Sequence, residues 1–142
     1  TIVLDEVKSA PGAEIEARFH SDAKIEAGEK YTLLKGDKGI MVIIPVCDGE
    51  VTMKAGSHSY TPVRKDVETV VIPCAGAFTK AKTETTRLAS IILPVADEKE
   101  AAAIATSVKK KSGPDTFVLS FKKGGKTLSY TFNGKDGLVL AK

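Results

Sequence analysis

The pattern that dominates this chain has a period of two. Ala13, Ile15, Ala17 and Phe19 alternate with Glu14, Glu16, Arg18 and His20, so a strand here carries an apolar face and a charged face. The same period recurs in TIVLDEV at the start and near the end, where Phe117, Leu119 and Phe121 alternate with Val118 and Ser120, and Leu128, Tyr130 and Phe132 with Thr127, Ser129 and Thr131. Lys122 to Lys126, with Gly124-Gly125 inside, predicts the hairpin turn between these last two runs. IMVIIPV, VETVVIPC and RLASIILPV are nearly all apolar and rich in β-branched residues, and the first has the composition of a central strand covered on both faces.

Turn residues punctuate these runs. Ala10-Pro11-Gly12, Gly28, Gly36, Asp48-Gly49, Gly134 and Gly137 mark the joins, Asp48-Gly49 in the style of a two-residue hairpin. Residues 56–66, GSHSYTPVRKD, are polar and irregular and read as a loop. AGAFTKAKTETT reads as a polar linker crossing between sheets or edges. One segment reads as helix: residues 97–111 carry acids at the start, alanines within and lysines at the end, an order that suits the helix dipole. The expected fold is all-β, a two-sheet antiparallel β-sandwich with at most one short helix near residues 97–111.

The 142 residues fit a single domain over 1–142, with no repeat and no shift in composition. The chain opens at Thr1 directly in a strand pattern. That reads as a piece of a larger multidomain protein, with any secretion signal outside it. A formal charge of +3, from 21 basic and 18 acidic residues, is too small and too mixed to point to nucleic acid or membrane. Lys109-Lys110-Lys111 reads as a solvated run. The longest apolar run, residues 40–46, falls far short of the roughly 20 residues of a spanning helix. Cys47 and Cys74 read as buried thiols; a disulfide needs the two runs they end to be neighbours.

Candidate chemistry rests on few residues. Phosphate-binding glycine loops, a nucleophile elbow and CxxC spacing are all absent. His20 has two readings: a solvated strand residue between Arg18 and Asp22, or a proton-transfer or metal-ligating group in a row with Glu16 and Arg18. His58 stands in SHSYTP, where Ser57, Ser59 and Tyr60 suit a sugar or a carboxylate but also suit a plain polar loop.

Val3-Leu4-Asp5-Glu6-Val7 followed, after a short turn, by Arg18-Phe19-His20 resembles a strand-turn-strand in the carboxy-terminal β-sandwich of the heparinase II/III-like polysaccharide lyases. TLLKGDKGIMVII and FVLSFKKGGKTLSYTF resemble that family's next hairpin and terminal strands. The resemblance implies β-elimination on uronate-containing polysaccharides, heparin- or alginate-like. The site would lie between an α/α-toroid domain and the sandwich, in a secreted or periplasmic protein. It further implies that this chain is an accessory domain, inactive as a lyase alone, with the toroid of the same parent chain and an acidic polysaccharide as partners, and with neither nucleic acid nor membrane among them. Arg18, His20, His58 and Tyr60 are then the substrate-binding candidates, with no catalytic residue assigned. His20 is the metal-ligand candidate, the chain itself holding no cofactor and zinc belonging to the full-length parent. The rival expectation is a free-standing carbohydrate-binding, adhesion or interaction sandwich with no catalytic role.

Overall fold

The computed structural model describes residues 1–60, 69–134 and 138–140, the side chains of Tyr60 and Leu138 excepted. Twelve strands are described: β1 (Ile2–Lys8), β2 (Glu14–His20), β3 (Lys24–Ala27), β4 (Thr32–Gly36), β5 (Gly39–Cys47), β6 (Thr52–Tyr60), β7 (Val70–Lys80), β8 (Thr85–Val95), β9 (Lys109–Ser112), β10 (Phe117–Lys123), β11 (Lys126–Phe132) and β12 (Leu138–Leu140). One helix, α1 (Glu98–Ser107), follows β8. The chain is an all-β antiparallel sandwich with one short helix, as the alternation requires. Hydrogen bonding resolves it into three sheets: a central sheet ordered β1-β8-β5-β4-β3, a sheet β12-β11-β10-β9, and an outer sheet β2-β7-β6.

The central sheet fixes this arrangement because β5, and β8 from Leu88 onward, carry apolar side chains on both faces. Val42, Ile44 and Val46 of β5, with Ala89, Ile91 and Val95 of β8, pack on Phe117, Leu119 and Phe121 of β10 and on Ala101 and Ile104 of α1. Ile43 and Ile92 face the other way and meet Phe19, Met53, Ala75 and Ala77 of the outer sheet. Each large side chain so buried contributes about 1.5–3 kcal/mol, which makes the three fully covered residues of β10 the main anchor of their sheet.

Three strands contain proline, and each proline sits where a neighbouring strand has ended. β4 stops opposite Ile43, short of Pro45; β2 stops opposite Cys74, short of Pro73; β1 stops opposite Ile91, short of Pro94. A residue without an N–H is tolerated there because one side of the strand has no ladder to complete. Between β10 and β11, Gly124 and Gly125 both have positive φ, 56° and 76°, the requirement of a two-residue type I′ hairpin.

α1 starts at Asp97, whose carboxylate accepts from the Glu100 N–H at 2.8 Å, while the Glu100 carboxylate accepts from the Ala96 N–H at 2.7 Å. The helix is shorter than the 97–111 pattern. Its last turn carries no basic residue, because Lys109 to Ser112 leave it to pair with β10 as an edge strand. The Lys109–Lys111 run is exposed on that edge, with the Lys110 ammonium donating to the Cys47 carbonyl. Among the described residues no helix is long and apolar enough to cross a membrane.

Three local expectations change. Asp48-Gly49 does not form a hairpin: β5 and β6 belong to different sheets, and this turn carries the chain from the central to the outer layer. Residues 56–60 are not loop but the second half of β6, paired with β7 from Gly56↔Cys74 to Tyr60↔Val70; residues 61–66 lie outside the described part. The linker expected over AGAFTKAKTETT is β7 as far as Lys80, and the crossing to the central sheet occupies only residues 81–84. Cys47 and Cys74 are buried free thiols.

Arg87 ties the layers together. It is buried in β8, donates from Nε to Glu6 of β1 at 3.0 Å, and reaches the carbonyls of Gly113 (2.8 Å), Pro114 (2.7 Å) and Thr116 (3.2 Å) in the turn before β10. Its guanidinium also lies 5.7 Å from the Phe132 ring centroid. Replacing it by Met removes the Glu6 pair and the three carbonyl contacts at once, but on acceptors that water can reach, and we expect a loss of about 2 kcal/mol in urea unfolding. Arg87→Lys recovers only part of this, because one ammonium cannot span the fork. In contrast, Thr32 is buried and its hydroxyl has no hydrogen-bond partner. Thr32→Val is expected to be neutral or to stabilise by about 1 kcal/mol in the same measurement.

Candidate functional site

The site is built on the outer sheet, which has only one buried face. Ala17, Phe19, Met53, Ala75 and Ala77 turn inward onto the central sheet. Alternation then sends Glu16, Arg18 and His20 of β2 outward together with Cys74, Gly76 and Phe78 of β7 and Lys54, Gly56 and His58 of β6. The charged face read from residues 14–20 is therefore real and solvated: Glu16, Arg18 and His20 are all exposed.

The register decides what these residues meet. His20 lies opposite Cys74, Cys74 opposite Gly56, and His58 opposite Ile72, two residues along. The only two imidazoles of the chain thus converge from opposite sides of β7, their ring centroids 5.9 Å apart and their planes at 68°. Cys74, on the strand between them, is buried although it lies on the outward face. Sequence alone leaves His20 and His58 unrelated; the structure brings them together.

Arg18 is held by Glu16 on the same strand. Its Nε donates to Oε1 at 2.7 Å and its Nη2 to Oε2 at 2.6 Å, a two-point pair. That hydrogen bonding lowers the Glu16 pKa below its usual value and raises that of Arg18, against the smaller opposing effect of burial on each. Both groups stay charged, and Glu16 is a built-in competitor for any anion approaching Arg18. Tyr60 closes β6 opposite Val70, but its side chain falls outside the described part of the structure.

At the other end of the same face is a feature the sequence reading missed. Glu14, Glu50, Thr52, Lys54, Phe78, Lys80 and Lys82 surround an open groove of about 600 Å³. The Phe78 ring leans back over Gly76, where a β-carbon would stand 2.6 Å from its Cε2, and the Lys54 ammonium sits 5.2 Å from its centroid. Its signal in the sequence is Phe78 between Ala77 and Thr79, masked by small and polar neighbours that have the composition of a linker.

Chemically, the face offers imidazoles to exchange protons or hydrogen bonds with hydroxyls and carboxylates, and cations to attract an acidic polymer. A zinc ion of the kind the resemblance implies does not fit: among the described residues no group of three or more His, Cys, Asp or Glu could hold a metal. His20 as a metal ligand thus lacks a ligand set there. No family model matches the chain, and neither the curated proteins nor the solved structures compared with it gave a match.

Removing the internal competitor tests this electrostatic account. Glu16→Gln should strengthen binding of an acidic oligosaccharide by roughly threefold, less than 1 kcal/mol, as expected for an exposed pair. Because the folded-state pKa of Glu16 is depressed, the pair is present above the usual carboxylate range and opens as pH falls through the lowered value. The advantage of the Gln variant should therefore shrink in acid, as read by titration calorimetry at two pH values.

Proposed function

We propose that this chain is the accessory β-sandwich of a polysaccharide lyase acting on uronate-containing polysaccharides, packed on an α/α-toroid catalytic domain and forming part of the cleft wall. The observation that carries the reading is the convergence of His20 and His58 at 5.9 Å on a solvated face that also presents Arg18. In β-elimination a base removes the C5 proton of the uronate while its carboxylate charge is neutralised and the C4 oxygen departs. On this reading Arg18 attracts the carboxylates of the polymer and the two imidazoles hold its hydroxyls, while the groups that do the chemistry come from the rest of the parent protein. A secreted or periplasmic setting suits an enzyme whose substrate is an extracellular polymer.

Docking on a toroid needs apolar surface. Val3 and Met41 share the face of the central sheet that carries Ile43, and both are substantially exposed, as are Val70 and Val71 at the start of β7. The rival reading, a free-standing carbohydrate-binding sandwich, is favoured by the aromatic groove at Phe78.

The test is an absorbance assay for unsaturated uronate with heparin-like and alginate-like polymers. The isolated chain should bind the substrate polymer and release no product, whereas the full-length parent should release it. His20→Ala and His58→Ala in the parent should each raise KM by about three- to tenfold with a smaller effect on kcat. A parent that forms no product from any uronate polymer ends the lyase reading, and binding without a catalytic partner leaves the rival in its place.

A further inference from the structure

We propose that the groove beside Phe78 is a subsite for one uronate unit of an acidic oligosaccharide, with the sugar ring stacked on Phe78 and its carboxylate taken up by Lys54 and Lys80. The proposal rests on the acidic-polysaccharide reading above but concerns a different part of the face, with different residues.

Three observations carry it. The first is the platform. Phe78 is an aromatic ring on the outward side of a sheet, only partly covered, and it lies back over Gly76 instead of projecting into solvent. A ring in that attitude offers a face to a ligand, and the C–H groups of a pyranose pack on such a face as other apolar groups do. The second is the cation over it. The Lys54 ammonium, 5.2 Å from the centroid, occupies the place where a sugar ring would stack. A long flexible lysine leaves that position at small cost and retains reach to a carboxylate on the incoming ring. The third is charge and size. The groove of about 600 Å³ is lined by three lysines, Lys54, Lys80 and Lys82, and two glutamates, Glu14 and Glu50. Three ammonium groups against two carboxylates leave a net charge of +1, enough to favour a singly charged uronate over a neutral sugar. The two glutamates disfavour a densely sulfated unit, so a carboxylate is the better ligand.

Titrate the 142-residue chain with an alginate-type tetrasaccharide, a heparin-type tetrasaccharide and a neutral β-glucan tetrasaccharide, following affinity by calorimetry and the Phe78 ring protons by NMR. The carboxylated ligand should shift the Phe78 ring resonances and bind at least about tenfold more tightly than the neutral one. Phe78→Ala should weaken binding about tenfold and Phe78→Tyr should restore it. Lys80→Met with Lys82→Met, both on exposed positions and harmless to the fold, should weaken the carboxylated ligand severalfold and leave the neutral one unchanged. Gly76→Ala, whose β-carbon meets both the Phe78 ring and the Glu16 carboxylate, should weaken binding at least as much as Phe78→Ala.

If Arg18→Ala abolishes binding while Phe78→Ala and the double lysine variant leave it intact, the subsite is overturned and the cleft-wall reading stands. Equal affinity for neutral and carboxylated ligands, or tighter binding of the sulfated one, overturns the proposed ligand class. If the chain binds none of the three and the parent yields no unsaturated uronate, the reading beneath the subsite fails, and the subsite with it.

Discussion

Two strands that are apolar on both faces govern this molecule. Residues 40–46 of β5 and 88–95 of β8 present aliphatic side chains to both sides, with Ser90 the one polar exception, so each face of the central sheet requires a cover. With one helix of ten residues among the described residues, the cover comes mainly from other sheets. One face receives large side chains, Phe117, Leu119, Phe121 and Ile104. The other receives a thin layer in which Ala17, Ala75 and Ala77 allow close approach. That thin layer is the outer sheet, and being last it has one face left for solvent. Arg18, His20, His58 and the residues of the Phe78 groove all lie on that leftover face or at its margin.

The strand ends matter as much as the strand middles. Pro45, Pro73 and Pro94 each occur where a neighbour has stopped, so the same dipeptide, an aliphatic residue followed by proline inside an apolar run, marks how far pairing extends. Beyond Pro73 only β6 continues beside β7. This leaves the β6–β7 ladder standing past the end of β2, and it is there that His58 reaches towards His20. Arg87 plays the complementary role at depth. By feeding the carbonyls before β10 from β8, it fixes the third sheet to the first without occupying the outward face.

Alternation made the layered β fold, the central position of β5, the Gly124-Gly125 hairpin and the charged face of β2 legible in the sequence. It failed at residues 56–60 for a physical reason. Met53 is buried on the inner side of β6, but Ala55 and Ser57 further along are exposed, as are Gly56 and His58 on the other side. With neither side covered, no apolar period is written into the residues, and the strand is held by its backbone ladder to β7. The His20–His58 pair depends on that invisible strand, so no local pattern announces it. Phe78 was lost differently: its strand is flanked by small residues and threonines that resemble a linker until Ala75 and Ala77 are seen against the central sheet.

The two halves of the outward face are joined by one residue without a side chain. Gly76 lies opposite Arg18 on β2 and Lys54 on β6. A β-carbon there would stand 2.6 Å from the Phe78 ring and 2.8 Å from the Glu16 carboxylate, which face each other across β2 and β7. The space it vacates lets Phe78 lie back along β7 and lets its cross-strand neighbour Glu16 hold Arg18. An exposed ion pair of this kind adds little to stability. Its consequence is geometric, since it spends two of the five guanidinium donors and fixes the direction in which the rest point. A continuous surface with an imidazole pair at one end, an oriented guanidinium in the middle and an aromatic groove at the other is the shape an extended polymer can follow. A bulkier residue at position 76 would break that continuity at its centre.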